Sequence, residues 1–138
     1  MAGGRSKGET GHAIQAAARL DHGLLMLLLT HLPELSKTRA DEILDRFGKR
    51  RRLAHELGLI DDATDADLKT INEIRTIFVH AEVPITFRSR YIVDEAQTFA
   101  AWKPRASARR LFDEAVERCE RAIEGRREKI VYERSPTP

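Results

Sequence analysis

The sequence predicts an all-α fold, a single-domain helical bundle of about five to seven helices. Three observations lead there. Apolar residues recur at three- and four-residue intervals through several long segments, the spacing that keeps them on one face of a helix. Residues that start or stop helices bound those segments, among them Thr10, Pro33, Gly58, Thr64, Pro84 and Ser107. The chain has 138 residues, a length that suits one domain and buries roughly two-thirds of the surface exposed when unfolded.

Taken in order, residues 1–9 contain glycines and no periodicity, and are expected to form a flexible arm. Thr10 caps a first helix that runs to about Leu32, where Pro33 stops it. Thr38 to Leu57 holds one or two helices, with Gly48 as a break and Gly58 as an end signal. Thr64-Asp65-Ala66-Asp67 has the capping-box spacing, in which hydroxyl and carboxylate satisfy free N–H groups at a helix start. The helix it opens extends to His80 or Ala81, because Pro84 pushes Val83 out of the α region. Ile85-Thr86-Phe87 suits a short extended piece, and Ile92 to Trp102 a short helix. Ser107 caps a last helix reaching about Lys129, with the stripe Leu111, Phe112, Ala115, Cys119, Ala122 and Ile123. Its wet face is expected to pair Glu114 with Arg118 and Glu117 with Arg121. The bundle domain is thus residues 10–131, followed by a frayed tail over 132–138.

Composition excludes several classes. The 24 Lys and Arg nearly cancel the 22 Asp and Glu, which fits neither an acidic disordered tail nor a strongly basic coat protein. Cys119 is alone and cannot staple a disulfide scaffold. The longest purely aliphatic run, Leu24 to Leu29, is far below the ~20 residues of a membrane span. No apolar signal core follows Gly3, Gly4 and Arg5, so a cytoplasmic location is expected.

Two charges stand on faces that should be dry. On a helical wheel Ile14, Ala17, Ala18, Leu24, Leu25, Leu28 and Leu32 share one face of the first helix, with Asp21 in its middle. Leu68, Ile71, Ile74 and Phe78 share a face of the capped helix, and Arg75 falls inside it. Because an unpaired buried charge costs several kcal/mol, the simplest expectation is that Asp21 and Arg75 meet where these helices pack. That contact is either an internal ion pair that fixes helix register, or a mount that presents Arg75 to an anionic ligand. His80 lies about 140° round the wheel from Arg75, so one straight helix does not bring the two together. Convergence requires a deformed helix end or a second copy across a symmetric dimer. On its own, His80 reads as a surface histidine near terminal carbonyls.

Ala17-Ala18-Arg19-Leu20-Asp21 and its leucine run resemble the opening helix of the mannitol operon repressor family. Leu53-Ala54-His55-Glu56-Leu57-Gly58-Leu59-Ile60, then Leu68, Ile71 and Ile74-Arg75-Thr76-Ile77-Phe78-Val79-His80, extend the resemblance. The family reads Ile-Arg-Asn, one variable residue, then Phe-Ala-His at the last of these, and Ile85-Thr86-Phe87 fits its next stretch. In all, the resemblance covers residues 12–95. It implies an all-helical regulator of a sugar-alcohol operon that lacks an obvious DNA-reading element. The Arg75-to-His80 spacing is also similar to the Arg-x4-His signature of the HEPN superfamily of small helical bundles. Active members are dimeric, metal-independent ribonucleases. By that resemblance Arg75 and His80 are the catalytic residues: Arg75 holds the scissile phosphate and His80 acts as general base or acid. The sequence departs from that pattern at Thr76, usually Asn or another polar residue, and at Val79, where alanine is expected.

Other signals carry less. Leu53 to Leu59 imitates the first half of a helix-turn-helix, but the next segment carries Asp61, Asp62, Asp65 and Asp67, which would oppose phosphates. Arg46, Lys49, Arg50, Arg51 and Arg52 form the dense basic run; they are a solvated helix face or an edge that contacts RNA or other nucleic acid without base reading. His12, His22, His31 and His55 have no metal-ligand spacing, and neither a metal nor a cofactor is expected. No glycine-rich phosphate loop and no nucleophile elbow is present. The width of the Leu24–Leu29 apolar surface, with Ile77 opposite Leu68 on its wheel, leans towards a central helix or a homodimer. The expected function is that of a regulatory interaction module working through a protein partner or a ligand. A HEPN-type endoribonuclease is the alternative, and a purely structural helical module the third possibility.

Overall fold

The computed structural model describes the backbone of residues 2–135 and the side chains from Gly8 onward. Among the described residues every regular element is a helix: α1 (Ala2–His31), α2 (Lys37–Ile43), α3 (Phe47–Glu56), α4 (Asp62–His80), α5 (Arg90–Ala96) and α6 (Ala108–Arg134). The architecture is the all-α bundle the sequence predicts. No helix among these residues is long and apolar enough to cross a membrane.

Three long helices, α1, α4 and α6, form the core. α3 lies on α1 and α4, and α5 on α4 and α6. The α1–α6 seam is parallel: His12 meets Asp113, Arg19 meets Glu120, and Arg127 reaches Thr30. At its far end the Arg134 guanidinium donates to the carbonyls of Thr30 and His31, satisfying the open C-terminal end of α1. α4 runs the other way, with Asp67 against Arg118 and Phe78 beside Phe87, which in turn packs on Phe112.

α1 is central because it is apolar on more than one side. Ala13, Ala16, Ala17, Leu20, Leu24, Leu25, Leu27 and Leu28 are all buried, and full burial of one leucine contributes about 1.5–3 kcal/mol. Four other helices of the same chain cover this surface. The buried face is turned relative to the expected one: its axis passes through Leu20, Leu24 and Leu27, so Ile14 and Ala18 are exposed and Asp21 stands at the edge. On α4 the expected stripe of Leu68, Ile71, Ile74 and Phe78 is buried, and Ile77 packs partly against the core. On α6 the stripe holds except for exposed Ala122, and gains Val116 and Ile130.

Several boundaries differ from expectation. α1 begins at Ala2 rather than at Thr10; its early turn is tied down because the Glu9 carboxylate accepts from the Phe87 N–H at 2.8 Å. Likewise α6 continues past Lys129 to Arg134. Of the residues expected to form the arm and the tail, Met1 and 136–138 lie outside the described residues. Gly48 does not break a helix but sits in the first turn of α3; the break is at residues 44–46. α4 is capped by Asp61, whose carboxylate accepts from the Thr64 N–H at 2.8 Å. Thr64 and Asp67 are instead buried, and Asp67 faces Arg118 on α6. The Ile85-Thr86-Phe87 segment is a loop, not a strand. It drops Phe87 into a cluster with Phe78 and Phe112 at centroid distances of 4.9 and 5.2 Å.

Candidate functional site

A cleft of about 310 Å³ opens where the α2–α3 junction meets α1 and α4. Asp21 comes from α1, Asp45, Arg46 and Phe47 from the junction, and Asn72 and Arg75 from α4. The local sequence builds this mouth. Phe47 turns inward and packs against the core while partly buried, and Arg46 precedes α3 in extended conformation without capping it. The first amides of α3, and with them its positive end, therefore border the cleft.

Asp21 and Arg75 line the same cleft, but they do not form the expected pair. Asp21 belongs to Arg50: their Oδ1 and Nη1 atoms are 3.2 Å apart. The Arg50 side chain is only 12% exposed and Asp21 34%. Arg50 Nε also donates to the Leu44 carbonyl at 2.7 Å, and Asp41 stands 3.8 Å from Nη2. One guanidinium thus ties α3 to α1 and to both the body and the C-terminal end of α2. The Asp21 contact is close but poorly aligned, leaving Oδ1 shielded from solvent without a well-oriented hydrogen bond. Geometry explains why Arg50 wins: Phe47, Arg50, Arg51 and Ala54 follow the inward spacing of α3, which aims two of the four consecutive cations into the bundle.

Most of the basic run is consequently engaged inside the chain. Lys49 pairs with Asp45 at 2.9 Å, Arg50 with Asp21, and Arg51 with Asp65. The Lys49 hydrogen bond holds the Asp45 carboxyl below its ordinary range. Arg52 donates to the Gly48 carbonyl of its own helix. Both carboxylates of the cleft thus face cations outside its lining. Among the described residues Arg46 and Arg75 have no carboxylate within 4.0 Å, although the Arg46 charge helps lower Asp45 from longer range, so the cleft presents two guanidiniums without a close ion pair beside Asn72.

His80 is not part of this cleft. It is the exposed last residue of α4, about 7.5 Å further along the axis than Arg75, and its side chain makes no hydrogen bond among the described residues. One chain does not bring Arg75 and His80 together. His55, at the other end of α3, donates from Nε2 to Asp62 Oδ1 at 2.7 Å, and Nδ1 lies 3.8 Å from Asp65. The Asp62 hydrogen bond raises the His55 pKa above its ordinary value. Neither partner of Asp21 nor the fate of the basic run was foreseen from sequence, although the inward spacing of Arg50 on its own wheel was a usable signal.

Of the expected wet-face pairs of α6, Glu114–Arg118 is reassigned, and Glu117 and Arg121 form no ion pair within 4.0 Å among the described residues. Glu114 accepts from Arg110 at 2.8 Å, while Arg118 turns inward to Asp67 at 3.2 Å. Cys119 is buried, and burial pushes its thiol pKa up to about 12. No group of three or more His, Cys, Asp or Glu is placed to hold a metal ion among the described residues. No family model, curated protein or solved structure matches the chain.

Proposed function

We propose that the chain is a regulatory helical interaction module, of the kind the mannitol operon repressor resemblance implies, whose Arg75 cleft receives an anionic ligand. The observation that carries this reading is the state of Arg75: it lines a cleft with no carboxylate partner, because Arg50 has taken Asp21. An anion there is met by two guanidiniums, the Asn72 amide and the positive end of α3. It bridges α4 to the α2–α3 junction, so occupancy alters how firmly that junction is held against the bundle. A protein partner or a second copy of the chain then senses the junction. The helix after α3 opens on Asp62 and Asp65 and buries Thr64 and Asp67, an acidic start that suits partner contact better than base reading.

Inorganic phosphate is the probe. Thermal unfolding at matched ionic strength should show stabilisation that grows with the logarithm of phosphate concentration, and Arg75→Ala should remove that increment. Equal phosphate responses in wild type and Arg75→Ala would sink the reading.

A second reading is a HEPN-type, metal-independent endoribonuclease using Arg75 and His80. It is favoured by both side chains being free of internal partners, Arg75 in the cleft and His80 at the exposed end of α4. Arg75 would neutralise the scissile phosphate and His80, from a second protomer, would take the 2′-hydroxyl proton. RNA cut in the presence of EDTA, with cutting lost in His80→Ala at unchanged helicity, is the expected result. Intact RNA with a dimeric protein would refute it.

A further inference from the structure

A different surface carries a second inference. The turns after α5 hold Trp102 at 41% exposure, an unusual degree for the largest apolar side chain. Its backbone is anchored: the Trp102 N–H donates to the carbonyl of buried Phe99 at 3.0 Å. The Ala106 N–H donates to the Lys103 carbonyl at 3.1 Å, closing a four-residue turn with Pro104 at its second position, where its fixed φ fits. The indole is therefore displayed by a held loop.

The residues on either side of Trp102 in sequence, Ala101 and Lys103, line a groove of about 310 Å³ together with apolar Ala106 and Leu111 and the cations Arg105 and Arg110. Glu114, also in the lining, accepts from Arg110, so those two charges offset each other. Lys103 and Arg105 meet no carboxylate within 4.0 Å among the described residues. A second groove, of about 460 Å³, shares Ala106 and is lined by Arg88, Arg109 and Glu9; Arg109 pairs with Asp113 at 3.0 Å and Glu9 accepts from the Phe87 N–H, which leaves Arg88 as its cation without an ion pair among the described residues. Neither groove has a residue in common with the Arg75 cleft.

We propose that this surface binds single-stranded nucleic acid, with a base stacked on Trp102, its phosphate between Lys103 and Arg105, and the next nucleotide in the Arg88 groove. Stacking on an exposed aromatic ring beside a cationic track is how strands are bound without base reading. A carboxylate-rich peptide would satisfy the cations but offers no flat face to the indole. Two adjoining grooves fit a strand better than a mononucleotide.

Trp102 is the sole tryptophan, so intrinsic fluorescence reports the site directly. The full chain is titrated with an oligouridylate of about eight nucleotides, with uridine monophosphate and with a polyglutamate of equal length. The oligonucleotide should quench Trp102 saturably, at least about ten-fold more tightly than the monophosphate, and lose about ten-fold in affinity between 50 and 200 mM salt. The double variant Lys103→Glu, Arg105→Glu should weaken binding about ten-fold or more at unchanged helicity, and Trp102→Ala should do likewise by anisotropy of a labelled strand. Lys69→Ala, at an exposed position of α4 outside both grooves, should bind as wild type does. Absence of quenching at 50 mM salt would overturn the proposal, as would equal binding by the charge-reversed variant. Equal affinity for the monophosphate or for polyglutamate, or loss of binding in Lys69→Ala, would overturn it too.

Discussion

Replacing Arg50 with methionine keeps the apolar stem that fills the α1–α3 contact and removes the charge that joins Asp21, Asp41 and the Leu44 carbonyl. Two unit charges 3.2 Å apart attract by about 5 kcal/mol at an effective dielectric of 20. Desolvation of a guanidinium that is only 12% exposed offsets most of that. The poor alignment at Asp21 Oδ1 reduces it further, leaving a pairwise coupling of about 1–2 kcal/mol, between surface and fully buried pairs. Loss of the charged donor to Leu44 adds about 1.5 kcal/mol, so Arg50→Met should destabilise by about 2–4 kcal/mol. With an unfolding entropy of about 2.1 cal/mol/K per residue, that lowers Tm by roughly 7–14 °C. The assay is a double-mutant cycle with Asp21→Asn, read by urea or thermal unfolding. A coupling below about 0.3 kcal/mol would refute the argument, since it is what independent sites give. The cycle has a functional arm as well. With Arg50 gone, Asp21 is free to neutralise Arg75, and the phosphate-dependent stabilisation of the variant should shrink.

Further outcomes follow from other groups. The raised His55 pKa means that its contact with Asp62 stabilises most below the ordinary histidine value of 6.5 and is lost as pH rises through the folded-state value; the Tm difference between wild type and His55→Ala should narrow on going from mildly acidic to alkaline buffer. Asp61→Ala removes the cap of α4 and should cost about 1 kcal/mol in urea unfolding at neutral pH. Because the Thr64 amide hydrogen bond lowers the Asp61 pKa, that increment is present above the ordinary carboxyl value and disappears as pH falls through the folded-state one. Cys119, 1% exposed with a thiol pKa near about 12, should resist a thiol reagent in native protein and react stoichiometrically in denaturant; rapid native labelling would contradict the burial.

The features that local chemistry dictates were legible in the sequence. Gly58 ends α3 in the left-handed region at φ 70°, with the Leu59 N–H on the Ala54 carbonyl and the Gly58 N–H on that of His55, the paired closure of a Schellman end. Ser107 caps α6 through the Arg110 N–H at 3.1 Å. What the sequence hid is long-range. Asp21 chooses a cation 29 positions away on α3 rather than Arg75, and no wheel drawn for one helix contains that choice. The run Leu24 to Leu29 left the azimuth of α1 undetermined, since residues apolar on every side fit several rotations; tertiary packing selected the one that moves Asp21 to an edge. Thr64 lost its cap role because Asp61 offers the same acceptor three residues earlier and the α6 side needs Asp67 for Arg118. Of the candidate cleft, Asp21 and Arg75 stood out in the sequence as charges on apolar helix faces, but Arg46 and Asn72 emerged only once the α2–α3 junction was placed.

The parallel α1–α6 seam sets a timetable for synthesis. His12 and Arg19 find their partners 101 residues later, and the end of α1 is closed by Arg134, 103 residues after His31. At 5–20 residues per second, α1 waits about 5–20 s after leaving the ribosome before its longest partner exists. During that interval the nascent chain displays Leu20 to Leu28 with only α2, α3 and α4 to shelter it, and the final turn of α6 acts as the latch that ends the exposure. Loss of the last turn of α6 would therefore be felt first in the handling of the newborn chain by chaperones, and only afterwards in the stability of the finished bundle.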